Sequence, residues 1–202
     1  MYTVHPSIAH MQAIFNNLPK TTGKNVKEWL DLISQSGIQT EKEIRAWLKK
    51  NFQMGDTTAA VLASCAVNKG IEFEAEDYLK TAHSYVEEMY AGPKEHLRPL
   101  HDTLIDLVRK LYPDIKISPC KTIVPHYRHH VIAQIKPATR KRIDFGLCLR
   151  AIKGPLSHRL IETGGLVKGD RITHRIEIHS SEDINDEVAK WFARAYELDT
   201  KS

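Results

Sequence analysis

Arg142-Ile143-Asp144-Phe145-Gly146-Leu147-Cys148-Leu149-Arg150 has the chain's clearest alternation of apolar and polar residues. Successive side chains of a strand point to opposite sides of a sheet. Ile143, Phe145, Leu147 and Leu149 therefore define a buried face, and Arg142, Asp144, Cys148 and Arg150 face away. The same period of two runs through Ile115 and Ile117, then Val131, Ala133 and Ile135, and later Ile172, Ile176 and Ile178, with His174 on their face. Lys121 to Tyr127 is β-rich, and Pro125 within it marks an edge or a bulge. On this reading Arg171, Thr173, Arg175 and Glu177 lie opposite Ile172, Ile176 and Ile178.

Helical spacing brackets these strands. Leu97, Leu100, Leu104, Leu107, Val108 and Leu111 precede them, with Pro99 admissible only in that helix's first turn. Ile184, Val188, Trp191, Phe192 and Ala195 follow, in a helix starting near Ser180 or Ser181. Helix, adjacent strands, helix predicts an α+β domain: an antiparallel sheet with helices packed on one face.

Upstream the chain reads as a small helical bundle. Ile8, Met11, Phe15 and Leu18 form one stripe, which Pro19 is expected to stop. Asn25 with Glu28, and Thr40 with Glu43, have capping-box spacing, and Gly37 suits a helix end. Asp56 is the expected cap of a fourth helix rich in alanine, ended by Gly70, and a fifth runs over about Ala75 to Tyr90. Gly92-Pro93 breaks the pattern. The expected organisation is a helical domain over 1–72, a connecting helix over 73–92 and the α+β domain over 93–202.

The 202 residues are 42% hydrophobic and 27% charged, enough for real cores and too few charges for wholesale disorder. Cys65, Cys120 and Cys148 are odd in number and far apart, which fits a reducing compartment. The first residues lack a secretory pattern, and no apolar run approaches membrane-spanning length. A soluble, cytoplasmic protein without a membrane partner is expected.

Charge is unevenly placed. No Asp or Glu occurs from Ile115 to Ile143, and Ile115 to Arg175 holds 13 Lys and Arg against Asp144, Glu162 and Asp170, in a chain of net charge +4. Segregated charge of this kind points to an anionic partner. Arginine's planar fork suits phosphate or carboxylate. Lys121, Arg128, Arg142, Arg150, Arg171 and Arg175 are the candidate anion-binding residues. The competing reading is a solvated polar face whose arginines pair with Asp144 and Glu177.

Catalytic and cofactor signatures are not found. Gly164 and Gly169 have the interval of a phosphate-binding loop, but Asp170 stands where it needs lysine, and a strand follows. The glycine-bearing loop from Lys153 to Asp170 reads as a hairpin connection or a flap over a ligand. Pro113-Asp114 has the opening of a nuclease motif, whose lysine is missing from Asp144-Phe145-Gly146. His126, His129 and His130 near Cys120 invite metal or thiolate chemistry, yet alternation sends neighbouring side chains apart. The plainer reading is a histidine-rich turn. Trp29 and Trp47 read as bundle core.

Two segments carry a resemblance. Asn17-Leu18-Pro19, Thr22-Gly23-Lys24, Glu28-Trp29 and Trp47-Leu48-Lys49, within Asn17 to Ala66, resemble a small bacterial helical domain of unknown function. Lys121-Thr122-Ile123, Ile143-Asp144-Phe145-Gly146-Leu147, Thr173-His174-Arg175 and Trp191-Phe192-Ala193-Arg194-Ala195-Tyr196, within Val86 to Glu197, resemble another domain of unknown function, some of whose members are labelled "predicted transport protein". The resemblance implies a two-domain, cytosolic bacterial protein and brings no catalytic residues. The second domain follows nuclease-like domains in other proteins, which leans towards nucleic acid by association.

The leading expectation is a non-enzymatic binding protein, without cofactor or metal, whose basic sheet face takes an anionic partner, foremost nucleic acid. Two others stand beside it: a domain binding a small anionic ligand, and a protein-interaction or oligomerisation module. Oligomeric state is not legible in the sequence.

Overall fold

The computed structural model describes residues 2–67, 74–150, 152 and 156–200. The chain divides into two units, Val4–Thr81, and Met1–Thr3 with Ala82–Ser202. The division falls within helix α5, which spans Ala75–Tyr90 as read from the sequence.

The helical unit contains α1 (Pro6–Thr22), α2 (Val26–Gln35), α3 (Glu41–Phe52), α4 (Asp56–Val67) and the start of α5. Leu18, Trp29, Ile33, Ile44, Leu48, Ala59, Leu62 and Ala63 form its core. The junction between α1 and α2 accounts for much of the recognisable sequence here. The Leu18 carbonyl accepts from Thr22 Oγ1 (2.8 Å), and that oxygen in turn accepts from the Trp29 indole N–H (2.8 Å). Gly23 takes the left-handed conformation (φ 74°) that ends a helix at least cost. The Glu28 N–H donates to Asn25 Oδ1 (3.0 Å) and the Asn25 N–H to the Glu28 carboxylate (2.7 Å), a complete capping box. Gly37, also left-handed (φ 72°), follows α2 as expected. Both tryptophans meet Phe52 edge-on, at 4.9 and 5.0 Å between ring centres.

Three expectations fail in this unit. Pro19 lies inside α1, which continues to Thr22. A proline near a helix end removes one N–H donor, and the Gly23 N–H bond to the Pro19 carbonyl closes the extra turn. Asp56 is not a cap: it occupies the first turn of α4 and pairs with Arg45 and Lys49 of α3. Thr40 receives the Glu43 N–H, but its hydroxyl bonds the Glu43 carboxylate, so the box is not reciprocal. The expected stop at Gly70 lies outside the described residues.

The second unit is α+β, as the sequence predicts. Its six strands, β1 (Lys116–Ile117), β2 (Val124–Tyr127), β3 (Val131–Lys136), β4 (Ile143–Leu147), β5 (Ile161–Glu162) and β6 (His174–Ile178), pair antiparallel in the order β1-β2-β3-β4-β6-β5. Helices α6 (Arg98–Leu111) and α8 (Asp186–Leu198) cover one face, and a single-turn helix α7 (Gly165–Lys168) lies between β5 and β6. Ile135, Phe145 and Ile176 face one another in register and pack with Leu104, Val108, Val188 and Phe192. Each such fully buried side chain contributes about 1.5–3 kcal/mol. Pro99 sits in the first turn of α6, and the register shift between His126 and Tyr127 is the irregularity that Pro125 announced.

Two expectations fail here. α8 begins at Asp186, with Asn185 as its cap, because Ser180 instead caps a short 3-10 turn over Ser181–Asp183. Ile172 is not on the face of Ile176: it precedes β6 and lies over Gly146 on the opposite side, within 2.7 Å of where a Cβ on Gly146 would stand. Among the described residues no helix is long and apolar enough to cross a membrane.

The connectivity sorts the loops by sheet end. Val124 faces Ile135, and Lys136 faces Asp144, so the β1–β2 and β3–β4 connections share one end of the sheet. The β2–β3 turn lies at the other end.

Candidate anion-binding site

Arg142 and Arg175 meet Asp144 and Glu177 on the sheet face away from the helices. Arg142 Nε donates to Asp144 (2.8 Å) and its Nη1 reaches Glu177 (3.0 Å). Arg175 contacts the same two acids at 3.4 and 3.1 Å. All four side chains are only 17–26% exposed, so this is a closed, half-buried network. Burial alone would raise the Glu177 pKa, but the Arg175 hydrogen bond and the Arg142 charge hold it below the usual carboxylate range.

Three more of the expected arginines bind backbone oxygens. Arg150 donates to the carbonyls of Gly169 and Asp170. Arg128 Nη1 donates to the carbonyls of Tyr196 (2.7 Å) and Asp199 (2.9 Å), and its guanidinium lies 4.2 Å from the Tyr196 ring centre. A cation there satisfies open carbonyls at the end of α8 and complements its dipole. Arg171 Nε donates to the Val131 carbonyl (3.2 Å), and its Nη2 to Asp199 Oδ1 (3.2 Å).

Lys121 differs. It is exposed in the β1–β2 connection, and its side chain makes no ion pair among the described residues. The side chains of Lys136, at the end of β3, and of Arg140 and Lys141, in the β3–β4 connection, are likewise exposed and make no ion pair among the described residues; the sequence reading placed them in the basic stretch but not among the six candidates. Lys94, before α6, donates to the Pro137 carbonyl (2.6 Å) and joins this end. Five cations thus gather at one end of the sheet, from three places in the chain.

The opposite end is organised by Asp199, which the sequence reading missed. Its carboxylate, 3% exposed, accepts the backbone N–H of His129 (2.8 Å) and His130 (3.0 Å) at Oδ2. Its Oδ1 takes His130 Nδ1 (2.8 Å) and Arg171 Nη2. Burial alone would raise its pKa, but the backbone N–H groups of His129 and His130 and the His130 ring keep it below the usual range. Nothing in Leu198-Asp199-Thr200 signals this, since Arg171 lies 28 positions upstream and His129 and His130 lie 70 and 69.

The three histidines separate. His126 is sealed in the core between the Phe145 and Phe192 rings, at 6.3 Å from each, with neither ring nitrogen hydrogen-bonded. Burial and neighbouring His101 push its pKa down to about 3. His101, equally buried, bonds the hydroxyls of Tyr2 and Tyr90 at 3.2 Å each, and burial lowers its pKa to about 4. His129 and His130 sit in the β2–β3 turn. Among the described residues no group of three or more His, Cys, Asp or Glu is placed to hold a metal. Cys120 lies near Ser118, whose carbonyl its thiol approaches at 3.9 Å.

The segment from Thr163 to Asp170 is a built turn. Gly164 and Gly169 adopt positive φ, and a Cβ on Gly165 would stand 2.1 Å from the Ile172 carbonyl oxygen. It presents Leu166 and Val167 outward, the latter 94% exposed. Gly154 of the same loop lies outside the described residues.

A family model for a domain of unknown function, DUF5655, matches residues 86–199, and another, DUF4287, also a domain of unknown function, matches residues 10–66. The chain belongs to the DUF5655 family and carries the DUF4287 domain ahead of it. Neither a curated protein nor a solved structure matches the chain.

Proposed function

We propose that this protein binds nucleic acid through phosphate contacts at the sheet end that carries Lys94, Lys121, Lys136, Arg140 and Lys141. The supporting observation is the contrast in pairing: four of these cations have no ion-pair partner among the described residues, while Arg142 and Arg175 are neutralised within the sheet face. Unpaired cations at a strand end and on hairpin connections can reach a phosphate backbone without first breaking an ion pair. Such contacts displace condensed counterions and carry little sequence information. The reading places the protein in the bacterial cytoplasm as a binding protein.

The test is a titration of short duplex and single-stranded DNA and RNA at about 50 and about 200 mM salt. Four phosphate contacts predict about 10²-fold weaker binding at the higher salt. No binding at low salt would remove this reading. One observation favours a second reading, a protein-interaction module: Leu166 and Val167 stand exposed side by side on the turn between β5 and β6. Concentration-dependent size on gel filtration, lost in Leu166→Ser/Val167→Ser, would support it.

A further inference from the structure

The Asp199 end holds a side-chain arrangement with chemistry of its own. Asp199 is fixed by two backbone N–H groups and by Arg171, and its Oδ1 faces His130 Nδ1 at 2.8 Å. A carboxylate accepts hydrogen bonds and cannot donate them, so it selects the His130 tautomer with its proton on Nδ1. The lone pair then resides on Nε2. The His130 side chain is 37% exposed, so that lone pair is open to solvent. Arg171 meets His130 on the same Asp199 oxygen and is itself 39% exposed. Its remaining N–H donors are a planar fork suited to phosphoryl oxygens. The set is an oriented imidazole, a buried carboxylate behind it and a guanidinium alongside.

We propose that His130 is a phosphoryl-acceptor site, with Asp199 as its positioning residue and Arg171 as the ligand for the incoming phosphoryl oxygens. The donor class is an acyl phosphate. Nε2 attacks phosphorus, and the N–P bond forms as the P–O bond to the acyl oxygen breaks. The carboxylate leaves with that electron pair. The Nδ1 proton stays on the ring, and the positive charge gained by the imidazole faces the Asp199 carboxylate. An oriented nucleophile backed by a buried acid is the general arrangement of an activated side chain. This site lies at the opposite end of the sheet from the cations of the proposed nucleic-acid surface, so the two stand or fall separately.

The experiment incubates the full chain with acetyl phosphate and follows phosphorylation by intact-protein mass and peptide mapping. The expected product is one acid-labile phosphoryl group on His130, absent in His130→Gln and retained in His129→Ala. Asp199→Asn slows labelling about 10–100-fold, as loss of an orienting partner does for other ligating imidazoles. Asp199 also caps a turn, so that variant can fail through folding. Arg171→Gln, on a half-exposed side chain, supplies a second kinetic test and is expected to slow labelling with the fold intact by circular dichroism. A readout that a purely structural role would not move is the imidazole nitrogen spectrum. It shows His130 in the Nδ1–H form in the wild type and a tautomer mixture in Asp199→Asn. Absence of labelling in the wild type, labelling that persists in His130→Gln, or an Nε2–H tautomer in the wild type each overturns the proposal.

Discussion

The two units differ in where they keep their polar groups. In the helical unit the hydrogen-bonding side chains sit at helix ends: Asn25, Thr22, Thr40 and the Asp56 pair. In the α+β unit they are inside. Every buried Ser, Thr, His or Asp among the described residues, from His101 to Asp199, belongs to it. An apolar core flanked by caps responds only weakly to protons, through the half-buried His5, whose pKa burial lowers. A core holding two neutral imidazoles and a caged carboxylate responds more strongly, because each can be charged or neutralised only at a cost.

Acid gives the largest expected separation. His101 and His126 have lowered pKa values when folded, so unfolding takes up protons as pH falls below about 6.5. Their stabilising contribution is complete above that pH and is lost on the way down, to about 4 for His101 and to about 3 for His126. His101 alone accounts for about 3 kcal/mol at the lower pH. Urea unfolding at pH 7, 5.5 and 4.5, followed by Trp191 in a variant that keeps only that tryptophan and by Trp29 with Trp47 in a variant that lacks Trp191, should show the α+β unit weakening far more than the helical unit. Equal weakening of both would break the comparison.

Arg142→Glu comes next. It sets three acids around Arg175 in a half-buried patch and should cost about 1–3 kcal/mol, read as a lower urea midpoint. Asn25→Ala removes the α2 cap and should cost about 1 kcal/mol, confined to the helical unit. The smallest change in stability belongs to Lys136→Glu/Arg140→Glu/Lys141→Glu. Their side chains are exposed and unpaired, so stability should move by less than about 0.5 kcal/mol. On the proposed function the same variant loses duplex affinity and most of its salt dependence. Together these variants separate charge used for folding from charge left for a partner.

Local signals were legible. The Asn25–Glu28 box, the glycine at position 37, the Pro99 helix start and the alternation of β4 each depend on residues a few positions apart. The buried face of β4 followed from that alternation, but its register against β3 and β6 did not. What stayed hidden depends on distant partners. The sequence could show that Arg142 and Arg175 share a face with Asp144 and Glu177, and both pairing and solvation were open to it. Only the register Asp144 to Glu177 and Gly146 to Arg175 brings the four within reach. Asp56 looked like a cap because Asp is a good one, but two cations of α3 hold it elsewhere. Ile172 kept the apolar period yet changed face, because the turn after Asp170 redirects the chain before β6. The candidate site was half legible: the basic stretch and Lys121 were visible, the pairing that separates the other candidate arginines from Lys136, Arg140 and Lys141 was not, and Asp199 carried no local mark.

The Thr3 backbone N–H donates to the Ile117 carbonyl at 2.8 Å, along the outer edge of β1, and the Tyr2 hydroxyl meets His101. The α+β unit is therefore discontinuous, and the helical unit is an insertion between its first few residues and the remainder. Separating the two takes two cuts. A polypeptide started at residue 82 would have a bare β1 edge, a template for pairing with other chains, and a His101 with one tyrosine instead of two. Rejoining Tyr2 and Thr3 to residue 82 through a short glycine link should cover the β1 edge again and give a more stable unit, which makes the bundle a removable module and those two residues an essential part of its host.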